Sequence, residues 1–463
     1  MNETVDPISA FIEAACVPLE GSHRSGTLDS AELIRHANAD ALARDIYASS
    51  ILGDDQAVRQ LVAADKAAAT AAGGPRQWDA LTCLCFSRYL RLDQARSDGF
   101  LTTATILLDA GASANSGWFE THHQPAPAWE SVIYGAAGVA QHPGLTRLLL
   151  ERGADPNDDE TPYHVPETHD NATLRVLVES GKLTAASMAT MLLRKTDWHD
   201  YDGIKWLLER GVDPNLVTHW AKTALHNAVL SDNHLAIVEL LLAHGADPTL
   251  TTTRPDRSSR ESSRESAGAS AFAIAARRGR GDVLAAFEKA GFSQTLEGVD
   301  GLLAACAQAD GATVRLISGR APETVAALRV NGGRYLAAFS GVGNVEGVRQ
   351  LLDLGVSVSA RYEEGEAYFD IAPQSLAIHV AAWRAQHAVV RLLIEQGSPV
   401  DQTDMKGRTP LALAVRACVD SFWMARRSPE SVQALLSAGA SAASVPFPSG
   451  YSEVDALLKA ASS

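Results

Sequence analysis

Cysteine is scarce in this chain, and its absence from metal-binding spacings excludes the zinc-knuckle and disulfide-framework classes. There are five cysteines in 463 residues. Cys83 and Cys85 lie two apart on an expected helix, so their side chains diverge by roughly 200° and cannot hold one ion together. Cys16, Cys306 and Cys418 sit among alanines. All five read as small buried apolar residues of a reducing compartment. Long apolar runs are also missing: no stretch of 18 or more exists, so no transmembrane helix is expected. Positive charge is in deficit, with 40 Lys and Arg against 55 Asp and Glu, a net charge of −15 and a pI of about 5.4. That balance argues against duplex DNA as a partner, because phosphate binding needs a basic face. Residues 1–22 carry acidic groups where a secretory signal needs basic ones, and the chain reads as cytoplasmic. There is no phosphate-cradling glycine loop, no H-E-x-x-H and no serine or cysteine nucleophile in an elbow.

What the sequence does have is one unit, repeated. Residues 223–249 read TALHNAVLSDNHLAIVELLLAHGADPT. Leu225, Ala228 and Val229 would pack a first helix. Ile237, Val238, Leu240, Leu241 and Leu242 give the second an apolar face at i, i+3, i+4 spacing. Gly245 would end that helix in the left-handed conformation, and Asp247-Pro248 would turn the chain outward. The ending recurs as LLDAGASAN from Leu107, LLLERGADPN from Leu148 and LLERGVDPN from Leu207, with weaker copies from Leu351, Leu392 and Leu435. Helix-ending glycines are therefore expected at Gly111, Gly153, Gly181, Gly211, Gly245, Gly291, Gly319, Gly355, Gly397 and Gly439. Their separations run, by subtraction, from 28 to 46 residues.

This unit resembles the ankyrin repeat, with its TPLHxAA start, apolar second helix and GADxN end, and the separations scatter around the family period of about 33. The resemblance implies an all-α solenoid of paired antiparallel helices with β-turn fingers and inserted loops. It also implies a side-chain pairing of Thr223 with His226, and of Thr161 with His164 in the TPYH motif. Residues 1–75 read as degenerate capping repeats and 76–250 as a stack with extended loops. Residues 251–270 are rich in Ser, Arg and Glu and read as a flexible insertion. Residues 271–463 read as a second stack with a terminal capping helix. Several units carry insertions. GWFETHHQPAPAWE precedes the first helix of the fourth unit, where Pro125 and Pro127 forbid a helix. Pro166 leaves the fifth unit's first helix broken or one turn long.

Ankyrin repeats imply binding and bring no reaction with them. Trp118, Trp129, Trp198, Trp206 and Trp220 are five of the eight tryptophans, and seven of the 14 histidines share the same interval. Trp206 belongs to a helix core; the others fall in loops. Trp118, Phe119, His122, His123, Trp129, Tyr163, Trp198, His199, Tyr201 and Trp220 are therefore the expected contact residues for a protein partner, since loop aromatics bury much area at low entropy cost. The other reading is that the long loops fold down over their own rings. No DNA, membrane or small-molecule substrate is expected, and no cofactor or metal. The alternative is an enzyme or metal-binding protein using the loops at 160–170 (Glu160, His164, His169, Asp170) and 198–202 (His199 and Asp200 among them). Its histidines lie five apart on a proline-interrupted segment that no helix face unites.

Overall fold

The computed structural model describes residues 6–124, 126–252 and 268–461. The chain divides into two compact units, Met1–Thr218 and His219–Ser463. Both are built from short helices, and the architecture is mostly helical. It is not strictly all-α: among the described residues there are two two-stranded antiparallel sheets, β1 (Gly117–Glu120) with β2 (Ala128–Ser131), and β3 (Arg361–Tyr362) with β4 (Ser375–Leu376).

In the first unit, helices Pro7–Ala15, Asp29–Leu42, Ile46–Leu52 and Asp55–Ala64 come first. Each start has a local cause. Asp6, Asp45 and Asp54 cap the first, third and fourth of these helices by accepting from Ser9, Ala48 and Ala57 N–H, which satisfies otherwise orphaned donors. Further along, helices Ala80–Cys85 and Ser97–Ala110 are separated by a short helix, Arg88–Leu92. In the fifth repeat the first helix is five residues, Glu160–His164, and ends just ahead of Pro166. The sixth has a longer one, Ala185–Asp197, paired with Tyr201–Leu208. All five cysteines of the chain are buried and free.

In the second unit Thr223 begins helix Ala224–Leu230. Its hydroxyl lies 2.7 Å from His226 Nδ1, and His226 Nε2 lies 2.9 Å from the Leu250 carbonyl. The imidazole thus fastens the helix start to the chain beyond the helix pair: its contact with Thr223 is the one the resemblance implied, and its contact with Leu250 is added by the fold. His379 does the same at helix Ala377–Trp383, with Nδ1 accepting from Leu376 N–H at 3.0 Å and Nε2 2.8 Å from the Gln402 carbonyl.

Nine of the ten expected helix-ending glycines have positive φ. Gly319 does not; it lies inside helix Gly311–Arg320. The chain there is stopped by Ala321-Pro322 instead, because proline restricts the residue before it, and a further helix, Pro322–Val330, starts at once with proline in its first turn. The Ser/Arg-rich insertion falls largely on 253–267, outside the described residues. Its two flanks meet: Thr251 bridges Ser270, and Thr252 N–H donates to the Ala269 carbonyl at 3.0 Å.

The second unit also holds a buried charge network. Asp232 accepts from Arg278 Nε and Nη2, each at 2.6 Å, and from Arg384 Nη1 at 2.7 Å. Although burial alone would raise its pKa, the arginines hold the Asp232 carboxyl well below the usual carboxylate range. The Arg384 guanidinium lies 4.3 Å from the Phe369 ring centroid and 4.6 Å from that of Trp423, so the loops at 361–376 and 420–429 are seated on the network.

Candidate functional site

The extension GWFETHHQPAPAWE forms a β-hairpin. Its register pairs Gly117 with Ser131, Trp118 with Glu130, Phe119 with Trp129 and Glu120 with Ala128. Glycine is required at 117: a Cβ there would stand 2.2 Å from the Glu130 carbonyl oxygen. Because side chains alternate along a strand, the hairpin has two chemically opposite faces. Phe119 and Trp129 form the outer one, 55% and 46% exposed. Trp118, Glu120 and Glu130 form the inner one, all buried.

Trp118 was expected on the surface and is not there. Its ring packs against Trp78, His23 and Phe86, with centroids at 5.1, 5.6 and 5.9 Å. The loop has folded its first tryptophan down while presenting its second.

His23 completes the inner face from the loop between the first two helices, a residue no sequence motif singles out. Arg24 beside it pins that loop by donating to the Gly138 carbonyl at 2.6 Å and to the Glu167 carbonyl at 3.0 Å. Gly138 lies in Tyr134–Val139, which winds as a π-helix, a form often found at functional sites. Tyr134 Oη lies 2.9 Å from His23 Nδ1. His23 Nε2 is 3.6 Å from Glu120 Oε2, and Nδ1 is 4.0 Å from Glu130 Oε2. One ligand atom from each of His23, Glu120 and Glu130 lies within 4.8 Å of the other two. Burial, with Glu160 and Glu120 adding repulsion, pushes the Glu130 carboxyl up to about 9. Burial likewise lowers the His23 imidazole to about 4, with His164 adding to the effect, and raises Glu120.

Next to this triad His164 stands between two carboxylates, with Nε2 3.2 Å from Glu160 and Nδ1 3.0 Å from Glu167. Burial would lower its pKa, but the two partners outweigh that and raise it to about 9. The expected Thr161–His164 pairing is therefore replaced. Thr161 instead donates to Asp158, N–H at 2.7 Å and hydroxyl at 3.0 Å, and the imidazole is released to the carboxylates.

The remaining expected contact residues are spread out. His122 is exposed near Glu20, and His123 lies 3.6 Å from Glu160. Tyr163 is half-buried under the Arg194 guanidinium, 3.9 Å from its centroid. Trp198 is 37% exposed, edge-on to His169, and Tyr201 is exposed. His199 is half-buried with φ of 51°. Trp220, half-buried, falls in the second unit beside His219.

The alternative sites do not assemble as sequence proximity suggested. Glu160 and His164 meet, but Asp170 accepts from Ala172 N–H at 2.9 Å at a helix start, and His169 meets Trp198 edge-on. Asp200 accepts from Gly203 N–H at 2.9 Å and pairs with the buried Lys195 at 2.7 Å, a structural task. In the second unit the sequence reading missed several exposed apolar side chains, among them Tyr368, Met405, Phe422 and Met424. Among the described residues no helix is long and apolar enough to cross a membrane.

Comparison with known proteins agrees with the repeat pattern. Residues 190–296 match the family model "Ankyrin repeats (3 copies)", and the chain carries ankyrin repeats. Serine/threonine-protein kinase 12 of Arabidopsis thaliana is 34% identical over 86 residues, 19% of this chain. The chain spans 17% of the length of that curated relative. Among solved structures, the ankyrin repeat domain of Bcl-3, a member of the IkappaB family, is 21% identical with a TM-score of 0.24. The human ASB11 ankyrin repeat domain is 22% identical with a TM-score of 0.23. Each match covers 53% of this chain and 96% of the other.

Proposed function

We propose that the protein is a non-catalytic scaffold that holds a partner protein, and that the outer face of the inserted hairpin is a principal contact. Ankyrin repeats generally mediate protein–protein interaction, which supports the broad reading. The observation that carries the finer one is the Phe119–Trp129 pair. Two large rings stand opposite each other across the strands and are about half exposed, while the face behind them is buried. A rigid backing lets exposed aromatics anchor an interface without first paying to order them. His122, Trp198 and Tyr201 extend the same reading along the first unit.

In this reading residues 1–75 cap the stack of 76–250, the insertion 251–270 connects onward, and 271–463 form the second stack. We place the protein in the cytoplasm, where five buried free thiols persist reduced.

The test is a photo-crosslinking amino acid at position 129 in the full chain, with the captured protein identified and its affinity measured directly. Phe119→Ala with Trp129→Ala should weaken that complex by roughly 2 kcal/mol or more per anchor, with the melting curve unchanged. A partner captured equally well by the double variant removes this face from the function.

A further inference from the structure

The inner face of the hairpin gathers polar atoms with nothing to bond. Among the described residues neither carboxylate oxygen of Glu130 has a hydrogen-bond partner, nor does His23 Nε2, nor Trp118 Nε1. Glu130 is wholly buried and His23 and Glu120 nearly so. Buried groups of this kind are costly to leave unsatisfied, and a carboxylate more than most. Without a cation, Glu130 has to keep a proton so that two bare carboxylate charges do not face each other in a dry place. The nearby cation His164 is already shared by Glu160 and Glu167.

We propose that His23, Glu120 and Glu130 bind one divalent transition cation of zinc type, which clasps the hairpin 117–131 to the loop carrying His23. Three observations carry this. The donors are one imidazole nitrogen and two carboxylate oxygens, a mixed set suited to zinc-like ions, whereas magnesium and calcium favour all-oxygen shells. Tyr134 Oη engages His23 Nδ1, the outer-shell contact that fixes an imidazole so that Nε2 presents its lone pair. The spacing is close: ligands about 2.0–2.2 Å from a tetrahedral ion stand roughly 3.4 Å apart, against 3.6 Å for Nε2 and Glu120, and Glu130, whose Oε2 lies 4.0 Å from Nδ1 of the same ring, has to swing toward Nε2. The ion's double charge balances the two carboxylates, and its arrival displaces the proton that Glu130 otherwise keeps. This clasp does not depend on what the outer face binds.

The experiment uses the full chain stripped with chelator and titrated with zinc chloride, followed by calorimetry and thermal melting. One equivalent should bind, and the first unit should melt higher as free zinc increases. Glu130→Gln, which mimics the protonated side chain, and His23→Gln should abolish both effects, while the exposed His36→Ala changes neither. Tyr134→Phe should weaken binding about 10–100-fold, the usual loss for an outer-shell partner. Zinc-edge X-ray absorption on the unmutated protein gives an answer independent of any variant's folding: one imidazole with oxygen ligands is expected. Absence of stoichiometric uptake, uptake unchanged in Glu130→Gln, displacement by millimolar magnesium, or a shell with two or more imidazoles would overturn the proposal.

Discussion

Trp118 stands directly opposite Glu130 across the inserted hairpin, and both side chains are turned into the protein. Their strand neighbours Phe119 and Trp129 are by the same alternation turned out. One insertion therefore answers both readings of the loop aromatics, ring by ring.

That division gives a direct stability test. Trp118→Ala removes a ring packed among Trp78, Phe86 and His23 and should cost the first unit about 3–5 kcal/mol. Trp129→Ala should stay within about 0.5 kcal/mol, as exposed substitutions do. Urea denaturation of each variant, read by far-ultraviolet circular dichroism, checks this; equal losses would mean that the two faces are not distinct.

Gly245 offers a cleaner test of the repeat unit. Its φ is +87°, and a Cβ built there meets nothing within 4 Å. Any cost of Gly245→Val is therefore conformational and should be about 1–2 kcal/mol. The loss should be local, since repeats couple mainly to their neighbours. Hydrogen exchange should quicken in helices Ala224–Leu230 and Leu235–Ala243 and stay unchanged in Glu430–Ser437. An unaltered exchange pattern would contradict the strain assigned to the glycine.

The helix pairs were legible because their signals are local. Gly245 and its counterparts end helices by a property of one residue, and Thr223–His226 caps one across a single turn. Gly319 misled because a glycine after an apolar run looks the same whether the helix stops or continues; the stop lay at Pro322. The site was less legible. Pro125 and Pro127 announced the absence of helix at the insertion but not the strand register that sorts Trp118 from Phe119. His23 comes from a loop about 100 residues earlier, and only packing brings it to Glu120 and Glu130. The TPYH motif pointed the wrong way for a physical reason: Asp158 takes Thr161, and His164 is drawn to Glu160 and Glu167.

In the second unit, Asp232 should be the most sensitive single charge. Asp232→Ala leaves the buried Arg278 and Arg384 without their shared carboxylate, although Glu366 still holds Arg278 Nη1 at 3.0 Å. Breaking a buried ion pair from one side costs about 3–5 kcal/mol. The loops carrying Phe369 and Trp423 should loosen with it, and tryptophan fluorescence should shift to the red. Stability within about 1 kcal/mol of the parent would show the arginines to be solvated and would dissolve the network.

The hairpin's inner face makes stability depend on pH, with a sign that follows from the shifts. In metal-free protein the folded Glu130 keeps its proton up to about 9, while the unfolded chain releases it near 4.3. The folded state then holds more protons, so this group lowers stability as pH rises between those limits. His164 is raised to about 9; its contribution is complete below its unfolded value near 6.5 and disappears as pH climbs through 9. His23 runs the other way. Lowered to about 4, it adds stability as pH rises towards 6.5 and nothing beyond. Below neutrality Glu130 and His23 oppose each other, whereas from pH 7 to 9.5 Glu130 and His164 act together, in the company of Glu120, Asp158, Glu160, Glu167 and His123. The urea midpoint of the first unit, measured in chelator, should therefore fall across pH 7 to 9.5. Glu130→Gln cannot lose that proton and should make the fall shallower, and His164→Gln should do so independently. A midpoint that stays level over this range in the parent protein would show that neither Glu130 nor His164 holds its proton as assigned and that the inner face is wetter than its burial implies.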